Sequence, residues 1–340
     1  MSPFASALLI VNVPSGVGLS PTDRAALIQA FHTHLDAIPC RWVTLTHDHA
    51  EVTRETRHFL ASTPGPHFML AGGGGGTLRA VAQGLMEAVE EQAVRLADTA
   101  VSTLRLGSGN LVARKFNIPR DPSVALAGIA ANLRRERLAP ACVYRCQLQN
   151  AAGTVKFYGL TLGLLGLLAE VPAEAANWKD RHRRLVRWLA PFAPIEKITA
   201  LQYTVGGFAK AAHCLLKPQL TQLVEIRSAC LTARLRLLAG FLVNFDHATL
   251  PFQANCHIGE PRLRLCLLPY QGRRQLLALF GNRKPLAARL LNVDITPETP
   301  LEIAFPEHSA ITLALDEDSF TAHGAIHFEV AGQVNFVPGS

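Results

Sequence analysis

Five consecutive glycines, Gly72 to Gly76, separate the apolar run His67-Phe68-Met69-Leu70-Ala71 from a helix-like stretch over Leu78 to Val89. A strand that ends in glycines and turns into a helix can press bare backbone N–H groups against an anion, because no Cβ blocks the approach. A tight strand-to-helix turn needs fewer glycines, and each one costs backbone entropy, so the run reads as a ligand loop. Thr77 follows at the expected helix start, where its hydroxyl can cap the helix or touch a phosphate oxygen. The loop contains no carboxylate.

Around this turn the first ~140 residues alternate strand and helix patterns. Strands are expected at Ala5–Val13, Arg41–Leu45, His67–Ala71 and Thr99–Leu106, with helices at Pro21–Ala37, Ala50–Ala61, Leu78–Val89, Leu111–Phe116 and Ser123–Arg135. Repeated strand–helix units imply a doubly wound parallel sheet covered on both faces, with ligands beyond the carboxyl ends of the strands. Three polar, glycine-bearing turns leave that edge: Asn12 to Gly18, Gly72 to Thr77 and Gly107 to Asn110. After Pro140 the pattern changes to short strands at Val143–Gln149, Val155–Leu162, Gln222–Ser228, Leu263–Leu268 and Ala310–Leu315. These predict a mainly antiparallel β domain, interrupted by one helical insertion over Ala173 to Leu189. The expected organisation is an α/β domain at 1–138, a β-rich domain at 139–322 with a basic helical insertion near 173–192, and a segment at 323–340 returning to the first domain.

The 340 residues are 49% hydrophobic and 17% charged, which describes a globular chain with a generous interior. No apolar run approaches the ~18 residues that span a bilayer, and the apolar stretch near the start runs into Asn12, so it reads as a strand rather than a signal peptide. Seven cysteines without a C-x-x-C pair fit buried thiols in a cytoplasmic protein better than a disulfide framework. The net charge of +7 favours anionic partners without choosing among nucleotide, lipid headgroup and nucleic acid. No recognition helix or stacking motif supports nucleic acid.

Read in order, "IVNVPSG" at Ile10 to Gly16, "AGGGGGTLRAVAQGL" at Ala71 to Leu85 and "LGSGNLVARKFNIP" at Leu106 to Pro119 resemble the diacylglycerol kinase catalytic domain shared by bacterial lipid kinases, sphingosine kinases and ceramide kinases. The second half is similar only loosely, through "YGLTLGLLGLLAEV" at Tyr158 to Val171 and "LDEDSF" at Leu315 to Phe320. The resemblance implies a two-domain fold of the kind also found in NAD kinases. It further implies ATP and Mg²⁺ as cofactors, and transfer of the γ-phosphoryl group to a lipid hydroxyl of diacylglycerol or sphingoid type. A homodimer is an expectation of the resemblance alone. Carried over by motif, the nucleotide set is Asn12, Ser15, Gly16, Thr46, Gly73, Gly74, Gly75, Gly76, Thr77, Gly107, Ser108, Gly109, Asn110 and Arg114. The late acidic motif falls on Asp316, Glu317 and Asp318, making Asp316 and Asp318 the catalytic candidates; on local sequence they equally fit a polar turn. Metal ligands are not assigned.

The departures from the family pattern are specific. Gly75 stands where the glycine motif has its aspartate, Leu111 where an aspartate follows Asn110, and Ala80 where the next helix has a glutamate. Ile258-Gly259-Glu260 stands near the place of an Asp-Asp-Gly that organises metal. The expected cradle thus keeps its backbone and loses its acids, which leaves a catalytically silent nucleotide- or lipid-binding protein as the alternative to a lipid kinase. A kinase acting on a soluble substrate such as NAD is a further alternative. Arg114 and Arg79 can neutralise phosphate directly, or serve as a structural ion pair and a solvated helix face. Lys179, Arg181, Arg183, Arg184 and Arg187, between Trp178 and Trp188, read first as a solvated helix face; the other reading is peripheral contact with anionic lipid.

Overall fold

The computed structural model describes the chain except residues 1, 2, 17, 108, 151, 152, 183, 185–194, 218–220, 248–251, 275–288, 307, 308, 317 and 340. It divides into two compact units, Met1–Val143 with Gln333–Ser340, and Tyr144–Gly332. The chain leaves the first unit within one strand, Ala139–Asn150, and re-enters it within another, Ala325–Phe336.

The first unit is built on β1 (Ser6–Asn12), β2 (Cys40–Thr46), β3 (His67–Gly73) and β4 (Thr99–Arg105), all parallel in the spatial order β2-β1-β3-β4. Every residue of β1 and β3 is buried. Burial on both faces requires continuous apolar runs rather than alternation, and the sequence supplies them. β2 lies at the edge and is only partly buried. The helices are α1 (Pro21–His34), α2 (His49–Ser62), α3 (Gly75–Glu90), the short α4 (Leu111–Lys115) and α5 (Pro122–Arg134). α1 packs on α5, and α2 on α3. Each long helix other than α3 has a side-chain cap. Ser20 Oγ accepts from Asp23 N, Asp48 Oδ1 accepts from Glu51 N at 2.8 Å, and Asp121 Oδ1 accepts from Val124 N at 2.9 Å. Pro21 and Pro122 occupy the first helical position, where a missing N–H costs nothing.

Two helix boundaries of the first unit differ from expectation by three residues, each for a physical reason. α1 ends at His34 rather than Ala37, because Leu35 and Ile38 turn down into the core. α3 begins at Gly75 rather than Leu78, since the last two glycines adopt helical geometry instead of prolonging the turn.

The second unit is antiparallel. In it are β5 (Ala139–Asn150, whose start belongs to the first unit), β6 (Gly153–Gly159), β7 (Gly163–Gly166), β8 (Gln222–Ser228), β9 (Thr232–Val243), β10 (Leu263–Pro269), β11 (Leu291–Ile295), β12 (Leu301–Ala304), β13 (Ala310–Leu315), β14 (Asp318–His323) and most of β15 (Ala325–Phe336). β9 is the spine. It pairs with β8 through its first half, with β7 through its second half, and with β10 as well. Leu238, Phe241, Val243, Phe252, Cys256, Cys266 and Leu268 form one apolar cluster around it. Two helices complete the described part, α6 (Val171–Arg181) and the 22-residue α7 (Ile195–Leu216), which pack together. Lys210 of α7 holds α6 through Glu170 and, at 2.7 Å, Glu174. Among the described residues, no helix is long and apolar enough to cross a membrane. The fold is therefore an α/β unit with a parallel core followed by an antiparallel β region.

Candidate functional site

The parallel register brings four strand ends to one edge. Asn12 of β1 lies opposite Thr46 of β2, Val11 opposite Gly72 of β3, and Gly73 opposite Arg105 of β4. The turns that leave this edge touch one another. Asn12 Nδ2 donates to Thr77 Oγ1 at 3.2 Å, and the Ser15 hydroxyl lies 3.4 Å from the same oxygen. A Cβ on Gly16, which has φ +63°, would overlap Leu106 O. A Cβ on Gly107 would overlap the Gly74 backbone, and one on Gly73 would overlap the Thr77 hydroxyl. These glycines are required by close approach of backbone to backbone, and the first also by its left-handed conformation. Thr46 is buried beneath them, its backbone oxygen accepting from Val13 N at 2.9 Å.

The third turn is held by Asn110. Its left-handed backbone (φ +53°) lets its side chain bond back on its own loop, Oδ1 accepting from Gly107 N at 3.1 Å and Nδ2 donating to Gly107 O at 2.7 Å. Asn tolerates this conformation better than a residue with a bulkier side chain. Asn12, Ser15, Gly16, Thr46, Gly73, Gly74, Gly75, Gly76, Thr77, Gly107 and Asn110 thus gather on one edge, with Gly109 in the same loop. Ser108 lies outside the described residues. Arg114 is exposed on α4, one turn beyond this loop.

Thr77 does not cap α3. Gly74 is the cap residue and supplies no side-chain hydrogen bond, while Thr77 sits three residues into the helix and turns its hydroxyl to Asn12 and Ser15. The first helical amides have no intrahelical acceptor and no capping side chain, and no acidic residue occupies the first turn. The positive end of a 16-residue helix is therefore uncapped and not neutralised by a first-turn acid. Arg79, read as a solvated face or a phosphate ligand, is on no solvated face: it is buried, with 6% exposure. Two neighbours were not legible as site residues. His49, the first residue of α2, packs its ring against Gly76 so closely that a Cβ there would overlap it, and Arg105 ends β4 beside Gly73. The rule that ligands sit beyond the carboxyl ends of parallel strands points to the β2–α2 turn too, and would have flagged His49.

The side chains of this edge do not fit Mg²⁺ as ligands. Mg²⁺ takes carboxylate and water oxygens, and positions 75 and 111 carry Gly and Leu. The carboxylates of the β2–α2 turn are used locally, Asp48 as the α2 cap and Glu51 accepting from His47 N at 2.7 Å. Among the described residues, no three of His, Cys, Asp and Glu come together as a metal site.

In the second unit Leu315 of β13 pairs with Asp318 of β14, so Asp316 falls in the tight turn between them with φ +58°. Asp316 N donates to Leu162 O at 2.9 Å, and both its carboxylate oxygens are buried. Asp318 is half-buried at the start of β14. Glu317 lies outside the described residues. Glu260, near the expected acidic motif, is paired with Arg262 at 2.9 Å. Of the basic insertion, Arg181 and Arg184 are exposed, Lys179 lies in α6, and Arg183 and Arg187 lie outside the described residues. Trp178 is 38% exposed and leans on His182. Burial pushes the Cys266 thiol up to about 12 and Cys256 to about 11, which leaves both as neutral core groups.

No curated protein sequence matches this chain. Among solved structures, a crystal structure described as a diacylglycerol kinase from Bacillus anthracis str. Sterne superposes with a TM-score of 0.60 at 14% identity, covering 99% of this chain and 98% of that one. Two further chains from the same organism, provisionally assigned to the same enzyme class, give TM-scores of 0.65 and 0.66 at 15% and 16% identity. They cover 99% of this chain and 99% and 98% of their own. Residues 6–139, which carry all three turns of the edge, match the diacylglycerol kinase catalytic domain. That domain implies ATP and a divalent metal, and the matched segment of this chain is similar to it.

Proposed function

We propose that this protein binds ATP through the three turns of the first unit and transfers a phosphoryl group to a lipid hydroxyl of diacylglycerol or sphingoid type. The observation that carries the reading is the meeting of Asn12, Ser15 and Gly16 with Gly73–Thr77, Gly107 and Asn110 around the uncapped start of α3. Phosphoryl transfer asks the protein chiefly for position and for positive charge on the phosphate oxygens. The α3 amides, Arg79 and Arg105 are suited to the second task. Asp316 and Asp318 are the acids proposed to orient or deprotonate the acceptor hydroxyl.

A second reading, a nucleotide- or lipid-binding protein without transferase activity, is favoured by Gly75 and Leu111. If the aspartate position served proton transfer, its loss lowers the rate by roughly 10²–10⁴, or about 3–5 kcal/mol of barrier. One assay separates the readings. Purified protein is incubated with labelled ATP, a divalent-cation series and a panel of diacylglycerol and sphingoid alcohols, beside Asp316→Asn. The kinase reading expects labelled lipid from the natural chain and a drop of at least about 100-fold in the variant. ATP binding with no labelled product from any acceptor leaves the silent reading standing and sinks the kinase.

A further inference from the structure

We infer that the cradle of the first unit takes the polyphosphate of a nucleoside triphosphate as the bare anion, with no divalent cation needed for binding. The inference rests on the nucleotide reading above and deepens it by naming the charge state of the ligand.

The first ground is the inventory of charge. Asn12–Gly18, Gly73–Thr77 and Arg105–Leu111 contain no Asp or Glu, and the only ionised side chain among them is Arg105. The next cation along α3 is the buried Arg79. Arg105 stands opposite Gly73 in the strand register, and Arg79 lies in the second turn of α3, whose start carries the positive end of the helix dipole. A site made of amides and cations gains from every negative charge its ligand keeps. The Mg²⁺ complex of a triphosphate has lost about two of them. Where a motif carboxylate stands near the phosphates, the balance reverses: the acid repels the bare anion, and the metal bridges the two. Gly75 removes that repulsion.

The second ground is Asn12. The residue is only 6% exposed, and its Oδ1 is buried without a hydrogen-bond partner, while Nδ2 lies on the Thr77 hydroxyl in the first turn of α3. A buried amide atom left without a partner is costly unless a ligand completes it. The Thr77 hydroxyl both donates and accepts, so the amide can turn over and place its NH₂ where Oδ1 now stands. In that orientation it adds a donor beside the free amides of the helix. The site then holds donors for an anion and lacks the carboxylates a hydrated Mg²⁺ would seek.

The test is titration calorimetry of the full chain with ATP, once in EDTA and once in excess MgCl₂. The expected result is a dissociation constant in EDTA equal to that in MgCl₂ or up to about tenfold lower. Binding that needs Mg²⁺, or that tightens tenfold or more with it, overturns the inference and leaves the nucleotide reading intact. Heat in neither buffer overturns the nucleotide reading, and the inference falls with it. Gly75→Asp is expected to weaken binding in EDTA by about tenfold and to regain it in MgCl₂, while the neutral Gly75→Asn keeps binding in EDTA. A Gly75→Asp protein that retains its melting temperature and binds ATP in EDTA as the natural chain does would remove position 75 from the phosphate site and overturn the inference.

Discussion

At the scale of single residues, the chain shows how a glycine run can be specified by its neighbours rather than by flexibility. Gly73 faces the Thr77 hydroxyl, Gly76 faces the His49 ring, and Gly107 faces the Gly74 backbone. Gly73→Ala therefore has to displace Thr77 from Asn12 and Ser15. The expected cost is about 1–3 kcal/mol of stability, with ATP affinity falling by at least about tenfold; thermal melting and calorimetry on the variant measure the two. An alanine at 73 that binds ATP as tightly as glycine would show that Thr77 does not shape the site. The need for glycine was legible in the sequence, since five in a row exceed what a turn requires. The role of Thr77 was not, because it depends on where the helix begins. Two glycines in helical geometry moved it from the cap to the third helical residue. Of the two readings of Arg79, burial removes the solvated face; helical spacing gives a face, and whether that face meets solvent depends on what packs against it.

At the scale of elements, the parallel half of the molecule was readable and much of the antiparallel half was not. β1 and β3 are wholly buried, so hydrophobic runs ending in polar or glycine residues mark their limits. Short antiparallel strands carry weaker signals. β7 is four residues, two of them glycine, and it is a strand only because β9 and β13 flank it. α7 was missed altogether. Its Gly206-Gly207 pair and its Thr, Val and Ile residues lower helix propensity, and packing on α6 compensates. The α6 end carries a prediction of its own. We propose that exposed Arg181 and Arg184, with half-exposed Trp178, touch anionic lipid. Arg181→Gln with Arg184→Gln is expected to lower sedimentation with phosphatidylserine vesicles several-fold, at roughly 1 kcal/mol per cation, with little effect on neutral vesicles. Equal sedimentation of the double variant and the natural chain would leave these arginines as a solvated face.

For the molecule as a whole, the last residues matter out of proportion to their number. Asn335 and Phe336 of β15 pair in parallel with Ala100 and Val101 of β4. Phe336 stacks on Phe116 with ring centroids 4.0 Å apart. Ser102 Oγ donates to Val337 O at 2.7 Å, and Asn132 Nδ2 to Pro338 O at 2.9 Å. Removing residues 333–340 deletes a buried Phe and two buried Val together with these bonds, a loss of roughly 5 kcal/mol or more. That is comparable to the whole stability of an ordinary domain. A truncated protein should melt at least about 10 °C lower, or fail to fold, and a melt within a few degrees of the intact chain would contradict this.

The same strand has a consequence for biosynthesis. A nascent polypeptide emerges amino end first, yet the β4 flank of the parallel sheet stays bare until Asn335 and Phe336 have been made and can pair with it. During that interval the growing chain carries an open hydrogen-bonding border, a ready template for association with another unfinished copy. Translation pauses or chaperone shortage should therefore harm this protein through that border, and a short peptide copying its carboxyl end would be the natural competitor to close it.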